Sequence, residues 1–252
     1  MLHFEEIVFG PIKSRRLGSS LGINLLPPVG KLCNFDCIYC ECGWNADGRT
    51  GGNFPSVESF RKALEWKLET AKNEQTPIDS ITFSGNGEPT LHPEFGEIID
   101  ITLELRDMFY PKAKVSVLSN ATRVNVPEVF QALSKVDNPI MKIDASTDDL
   151  VSYINKPTGK YSLDKVIDGL KKFNGDFILQ TMFLDSPEFS TAEKQNMQAW
   201  YEIVRILHPR EIMVYTIDRQ TPQKKLVKYS VEEMKKLVKP LEDEGFIIQV
   251  RG

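Results

Sequence analysis

The 252-residue sequence has no cysteine outside one short stretch, since all four cysteines lie between positions 33 and 42. Disulfide frameworks distribute their cysteines over a small secreted domain. The absence of cysteine elsewhere therefore excludes such a framework. Clustered thiols in a chain of this length indicate a metal or redox site instead.

The sequence also lacks a long apolar run and an excess of positive charge. No apolar stretch approaches the roughly 20 residues of a membrane span, and Glu5 and Glu6 stand where a signal peptide would be basic. We therefore expect a cytoplasmic protein without membrane contact. A net charge of -4 provides no overall field that would attract nucleic acid.

Apolar runs and amphipathic segments alternate along the chain, as is typical of parallel βα units. The predicted strands are 21–27, 80–85, 113–120, 139–146, 176–184, 211–217 and a short one at 246–250. The predicted helices are 56–73, 94–109, one from Pro127, an interrupted region 148–173, one from about 190 to 207, and 231–243. Ser56 is a predicted N-cap, and Ser190 with Glu193 and Ser230 with Glu233 match the capping-box pattern.

Six βα units fit either an open partial barrel or a doubly wound sheet, and both place a site at the carboxyl ends of the strands. We expect a single domain over residues 1–252. It would consist of an N-terminal extension (1–20), a barrel core (21–217) and a C-terminal helix with a short strand (218–252).

Cys33, Cys37 and Cys40 form a C-x3-C-x2-C pattern directly after the first predicted strand. Three thiolates on a four-iron cluster leave one iron open for a ligand. A structural zinc site would usually need a second pair of ligands, which the sequence lacks. Cys42 is either a fourth ligand, which would make a saturated electron-transfer cluster, or a bystander thiol, and we favour the bystander.

The segment Cys33–Cys40, CNFDCIYC, resembles the signature of the radical S-adenosylmethionine superfamily. The segment SGNGEPTLHP (84–93) resembles the glycine-rich motif with which that superfamily binds the methionine moiety of its cofactor. FGPIKSRRLGSSLGINLLPP (9–28), KIDAS (142–146) and INKPT (154–158) resemble an uncharacterised Fe-S oxidoreductase group related to the wyosine-forming tRNA enzymes. Those tRNA enzymes carry additional cysteines for a second cluster, and this chain has none.

The resemblance implies a partial (βα)6 TIM-like barrel and a 4Fe-4S cluster held by Cys33, Cys37 and Cys40. It further implies an enzyme that reductively cleaves S-adenosylmethionine to a 5'-deoxyadenosyl radical, which abstracts hydrogen from an unidentified RNA, protein or small molecule. A flavodoxin or ferredoxin would supply the electron, and tRNA is a candidate substrate by analogy only. The alternative is a non-catalytic Fe-S or zinc protein that serves as an electron carrier or scaffold.

The polar residues that end the predicted strands are the candidate cofactor ligands. They are Tyr39, Gly85, Asn86, Gly87, Glu88, Ser119, Asn120, Asp144, Ser146, Gln180 and Tyr215. We expect the glycines to let the backbone approach a ligand, and Glu88 to pair with the methionine ammonium.

Three further residues carry specific expectations. A buried carboxylate at Asp144 requires a ligand or an ion pair. Arg15 and Arg16 would contact an anionic substrate or form surface ion pairs. No residue is assigned a catalytic role.

Overall fold

The computed structural model describes residues 3–14, 17–47 and 53–252, so Arg15 and Arg16 lie outside the described residues. The strands are β1 (Val8–Ser14), β2 (Gly18–Asn24), β3 (Ser80–Ser84), β4 (Lys114–Ser119), β5 (Asn138–Lys142), β6 (Ile178–Met182), β7 (Leu184–Ser186), β8 (Phe189–Ser190), β9 (Glu211–Tyr215), β10 (Val227–Lys228) and β11 (Ile248–Arg251). The helices are α1 (Val57–Asn73), α2 (Phe95–Phe109), α3 (Pro127–Leu133), α4 (Asp148–Ile154), α5 (Leu163–Lys171), α6 (Lys194–Leu207) and α7 (Val231–Asp243).

The order of the strands distinguishes the two fold classes that the sequence left open. The main sheet runs β1-β2-β3-β4-β5-β6-β9-β11, and from β2 onward every neighbouring pair is parallel. A doubly wound sheet would reverse its order at a switch point, whereas this order follows the chain. Successive crossovers of one hand place the helices on one face and leave the other face concave. The predicted partial barrel is confirmed.

The two faces of the curled sheet have different cores. On the outer face, fully buried Phe83 of β3 packs between Phe60 of α1 and Phe95 of α2, with ring centroids 6.4 and 6.2 Å away. On the inner face, Ile140, Ile178 and Met213 form a small separate apolar cluster. This cluster is the floor of the barrel.

Buried hydroxyl groups continue the inner face across the strands that precede β5. Ser20 and Thr82 lie 2.7 Å apart, Thr82 and Ser80 lie 3.0 Å apart, and Ser80 and Ser116 lie 3.1 Å apart. Asn138 donates to Ser116 at 3.1 Å. These polar groups satisfy one another, as buried groups must, so one side of the barrel interior is polar.

The predicted helix starts are confirmed at two of three caps. The Ser56 hydroxyl accepts from the Ser59 amide at 3.2 Å, and Ser230 with Glu233 makes both bonds of a capping box. The Ser190 prediction is wrong, because Ser190 lies in β8 and pairs with β7. Helix α6 instead begins at Lys194, without a side-chain cap.

The sequence analysis missed the hairpin formed by β1 and β2, and the small sheet β10-β7-β8. The segment VFGPIKS did not suggest a strand because Gly10 and Pro11 interrupt it, and the strand bulges between Phe9 and Ile12. Residues predicted as an N-terminal extension therefore complete the edge of the sheet. The division into domain segments stays a prediction. Within the described ranges, no helix is long and apolar enough to cross a membrane.

Candidate active site

A cavity of about 440 Å³ opens at the carboxyl ends of the strands. All four cysteines line it. The predicted site residues that line it are Cys33, Cys37, Tyr39, Cys40, Gly85, Gly87, Glu88, Ser119, Asn120, Gln180 and Tyr215. Asn86, Asp144 and Ser146 are not part of its lining. The parallel strands thus bring most of the predicted residues together.

The cysteine loop, residues 31–45, is closed by hydrogen bonds to its own last residue. The Asn45 amide group accepts from the Cys33 N–H at 3.2 Å and donates to the carbonyls of Cys33 (2.9 Å) and Phe35 (3.1 Å). Asp36 accepts from the Asn45 N–H at 2.8 Å and from Lys31 Nζ at 3.0 Å. The loop is therefore ordered by its own polar residues.

The loop is also attached to the INKPT segment that follows α4. The Ile38 N–H donates to the Ile154 carbonyl at 2.9 Å, and the Asp36 N–H donates to that of Asn155 at 2.8 Å. The Thr158 N–H returns a bond to the Asn34 carbonyl at 3.0 Å. These bonds hold the INKPT segment against the cysteine loop.

The Asn155 side chain connects the cysteine loop to β5. Its buried Nδ2 lies 2.7 Å from Asp144 Oδ2, 3.2 Å from Tyr39 Oη and 3.3 Å from Cys37 Sγ. Sequence analysis did not single out Asn155, although it quoted the motif that contains it. One amide thus orients a thiol, a phenol and a carboxylate.

The thiols differ in their surroundings. Burial raises the pKa of Cys37 to about 11, and burial likewise raises the pKa of Cys33. A side-chain hydrogen bond between Cys40 and Cys42 lowers the pKa of Cys40 and raises that of Cys42. Cys42 Sγ also lies 3.4 Å from the Gly85 carbonyl oxygen, to which it donates. Cys42 thus connects the cysteine loop to the glycine-rich segment.

The glycines at the end of β3 are required by contacts within the protein. Gly87 has φ +146°, and a β-carbon there would lie 1.9 Å from the Leu32 carbonyl oxygen. Gly85 has φ +114°, and its β-carbon would lie 2.6 Å from Asn24 Oδ1. Both glycines line the cavity, and contact with a ligand there stays a prediction.

Asn86 is fully buried, and its side chain bonds to the N-terminal segment and to the segment after β2. Its side chain accepts from the Phe4 N–H at 2.9 Å and donates to the carbonyls of Phe4 (2.8 Å) and Pro27 (3.1 Å). Asn86 therefore attaches the N-terminal segment behind the cavity.

Glu88 joins the end of β3 to the end of β4. Its buried carboxylate accepts from Thr90 N (3.2 Å), Thr90 Oγ1 (2.6 Å), Ser119 Oγ (2.9 Å) and the Asn120 N–H (2.7 Å). Burial nevertheless raises the pKa of Glu88. These bonds fix Ser119 and Asn120 at the cavity wall, and the predicted contact with an ammonium stays a prediction.

Asp144 was expected to meet either a ligand or an ion-pair partner, and the structure shows an ion pair with Lys142. Its Oδ1 accepts from the Met182 N–H at 2.9 Å and lies 3.6 Å from Lys142 Nζ. Its Oδ2 accepts from Tyr39 Oη and from Asn155. Asp144 and Ser146 line a separate cavity of about 20 Å³, which has room for a single water molecule.

Three lysines line the cavity, Lys13, Lys31 and Lys142, and sequence analysis singled out none of them. Lys31 donates to the Gly43 carbonyl at 3.1 Å as well as to Asp36, so its ammonium lies inside the cysteine loop. Lys142 donates to Tyr215 Oη and lies over the rings of Tyr39 and Tyr215. Lysine side chains are mostly exposed in folded proteins, so the residue type alone did not mark Lys31 or Lys142 as cavity residues.

Gln180 of β6 is 3% exposed and lines the cavity, and its Nε2 has no hydrogen-bond partner among the described residues. An unsatisfied buried donor costs on the order of 1–3 kcal/mol, so the Gln180 amide is a candidate donor to a ligand in this cavity. A cavity of this volume also fits a cofactor-sized ligand.

The chemistry of the donor set fits an iron-sulfur cluster beside an organic cofactor. Three thiols are the ligands that such clusters use, and the remaining lining offers donors and acceptors for a polar molecule. Within the described ranges, no three Cys, His, Asp or Glu side chains are arranged to hold a single metal ion.

Comparison with known proteins agrees with this chemistry. The family described as the Radical SAM superfamily matches residues 28–179. A protein of Brachyspira hyodysenteriae named GTPase Obg is 31% identical over 240 residues, which are 93% of this chain and 33% of that protein. A UPF0026 protein of Methanocaldococcus jannaschii is 29% identical over 237 residues, covering 92% of this chain and 70% of the relative.

Solved structures share the fold. The crystal structure of a radical SAM methyltransferase from Sphaerobacter thermophilus superposes with a TM-score of 0.69 at 15% identity. The match covers 92% of this chain and 66% of that one. This chain thus spans about a third of the Brachyspira protein and about two thirds of the methyltransferase, and the likeness to the latter concerns the barrel alone.

Proposed function

The chain belongs to the radical S-adenosylmethionine superfamily, whose enzymes use a 4Fe-4S cluster and S-adenosylmethionine, and we propose that it activates an organic substrate by radical chemistry. Cys33, Cys37 and Cys40 would hold the cluster. When bound, the cluster and its cofactor supply a 5'-deoxyadenosyl radical, which abstracts a hydrogen atom from the substrate. The observation that carries this proposal is that three thiols line one cavity with the unsatisfied Gln180 amide.

The protein's own residues would position the cofactor. Ser119 and Asn120, which Glu88 fixes at the end of β4, offer a hydroxyl and an amide to a ribose. The backbone at Gly85 and Gly87 borders the same cavity and would take the methionine moiety. Tyr39, held by Asp144 and Asn155, would contribute an aromatic wall.

The surroundings of the thiols would keep water away from the reaction. Cys37 is buried, and Asn155 bonds to it from behind. The ion pair between Glu41 of the cysteine loop and Arg219 lies at the cavity lining and connects the loop to the segment after β9. A low dielectric around the site would strengthen each polar contact with the bound cofactor.

An external reductant such as flavodoxin or ferredoxin would deliver the electron, because the described residues hold no second cysteine cluster. The substrate would be an RNA, a protein or a small molecule. A tRNA substrate rests on the distant resemblance alone.

The test is anaerobic. The protein is reconstituted with iron and sulfide, reduced with dithionite, given S-adenosylmethionine and assayed for 5'-deoxyadenosine beside the Cys37→Ala variant. Formation by the wild type but not by the variant supports the proposal. A wild-type protein that binds the cluster but neither binds nor cleaves the cofactor would instead support an electron carrier or scaffold.

A further inference from the structure

Lys142 of β5 and Gln180 of β6 are register partners on adjacent parallel strands. Two residues earlier on each strand, Ile140 and Ile178 are also register partners and belong to the apolar floor. Side chains two residues apart point to the same face of a sheet. Lys142 and Gln180 therefore form the first polar layer above the floor, and both line the large cavity.

The Gln180 amide is the unsatisfied member of this pair. The residue is 3% exposed, and its Nε2 finds no acceptor among the described residues. The neighbouring β6 residue Thr181 faces the other way and bonds to the Ile143 carbonyl at 2.7 Å. A glutamine that is kept unpaired in a strand of otherwise satisfied or apolar residues indicates a ligand acceptor.

The Lys142 ammonium retains donors that the protein does not use. Its bond to Tyr215 Oη is the one hydrogen bond it makes in the described part of the chain. Asp144 Oδ1, at 3.6 Å, is too distant for a hydrogen bond and already accepts from the Met182 N–H. An ammonium has three protons, so Lys142 can donate to a ligand while it still balances Asp144.

We propose that Lys142 and Gln180 form a carboxylate-binding subsite on the floor of the cavity. Strands lie about 4.8 Å apart, so the two side chains can each donate to one oxygen of a planar carboxylate. The positive charge of Lys142 is partly offset by Asp144, so the subsite is suited to a ligand with a single negative charge.

Two carboxylates have this chemistry: that of the methionine moiety of the cofactor, and one carried by the substrate. Only this choice of source rests on the proposed function, since the subsite itself follows from the side chains. The experiment separates the two sources by using probes that differ in the carboxylate alone.

The first arm measures binding by calorimetry with the reconstituted, unreduced protein. The probes are S-adenosylmethionine and its decarboxylated form, which lacks only the carboxylate. The variants are Lys142→Met and Gln180→Met, and the matched controls are Lys62→Met and Gln131→Met, both at exposed helix positions. If the cofactor carboxylate occupies the subsite, both variants weaken S-adenosylmethionine binding at least tenfold and leave the decarboxylated probe within twofold of wild type.

The second arm measures 13C-acetate binding by NMR line broadening in protein saturated with S-adenosylmethionine. If a substrate carboxylate occupies the subsite, wild type and both control variants bind acetate, and both subsite variants lose at least tenfold in affinity. In that case neither subsite variant changes the affinity of S-adenosylmethionine or of its decarboxylated form in the first arm.

The proposal is overturned if neither the cofactor probes nor acetate respond to Gln180→Met. That variant decides the matter even if Lys142→Met fails to fold, because it removes only an unpartnered amide. If the wild type produces 5'-deoxyadenosine but neither subsite variant changes the affinity of any probe, the subsite is rejected and the radical chemistry stands. Carboxylate binding that depends on Lys142 in a protein that makes no 5'-deoxyadenosine would do the reverse.

Discussion

Gly87 and Leu32 pack so closely that any side chain at position 87 would overlap the Leu32 carbonyl group. The Leu32 N–H donates to the Asn86 carbonyl at 2.8 Å, and the Glu88 N–H donates to the Leu32 carbonyl at 3.2 Å. The cysteine loop and the glycine-rich segment are therefore paired like two short strands. These bonds and this close approach hold the two motifs against each other.

The first prediction concerns this pairing. Gly87→Ala places a β-carbon against backbone, which cannot move as a flexible side chain would, and φ of +146° is unfavourable for alanine. We expect the reconstituted variant to lose most of its iron and visible absorption. Gly96→Ala in α2 is the control, since no atom lies within 4 Å of its β-carbon. Wild-type iron content in Gly87→Ala would show that the loop tolerates displacement.

The second prediction concerns Asn155. Asn155→Ala removes the amide that donates to Asp144 and lies against Cys37 and Tyr39. Leaving such buried groups short of a donor should lower the free energy of unfolding by about 1–3 kcal/mol. Urea denaturation of the cluster-free protein measures this loss. Asn155→Leu should lose as much stability as Asn155→Ala, because an apolar side chain of similar shape does not replace the hydrogen-bond donor. An unchanged denaturation midpoint in both variants would contradict the stabilising role of the Asn155 amide.

The third prediction is a gain of stability. Gln180→Met replaces an unsatisfied buried amide with an apolar side chain of similar length, so the ligand-free protein should gain on the order of 1 kcal/mol. For a chain of this size that gain raises Tm by about 2–4 °C. Thermal unfolding without ligand tests it, with exposed Gln131→Met expected to stay within about 0.5 kcal/mol of wild type. A loss of stability would mean that the amide already has a partner.

The fourth prediction concerns Glu88. Glu88→Gln replaces one acceptor oxygen with a donor, so either Asn120 N–H or the donors from Thr90 and Ser119 lose their acceptor. We expect a loss of about 1–3 kcal/mol in unfolding free energy and weaker binding of S-adenosylmethionine, with iron retained. Calorimetry and iron analysis of one preparation measure both effects. Unchanged affinity beside lowered stability would restrict Glu88 to a purely structural role.

The fifth prediction concerns the fourth thiol. The single proton of the Cys42 thiol can go to the Gly85 carbonyl oxygen, 3.4 Å away, or to the Cys40 sulfur, so the structure provides partners for Cys42 within the protein. Cys42→Ala should therefore retain the cluster's visible absorption and the cleavage activity, whereas Cys37→Ala should lose both. Loss of both properties in Cys42→Ala would make Cys42 a fourth ligand.

Local patterns in the sequence determined much of the fold. The helix starts at Ser56 and Ser230 follow from side-chain caps that need only neighbouring residues. The strands β3, β4, β5, β6 and β9 follow from apolar runs that are buried in the folded protein. The capping pattern at Ser190 was misleading because Ser190 pairs with Asp185 in the tight hairpin of β7 and β8, so it lies in a strand and not at a helix start.

The sequence by itself determined that three thiols lie in one loop after a strand, and that polar residues end the strands that follow. Only the tertiary structure decided that the strands keep chain order, that Asn155 reaches Cys37, and that Lys142 and Gln180 share the barrel floor. Spacing along a chain fixes which residues share a loop, a helix face or a strand face. Contacts between residues such as Cys37 and Asn155, 118 positions apart, depend on how whole elements pack.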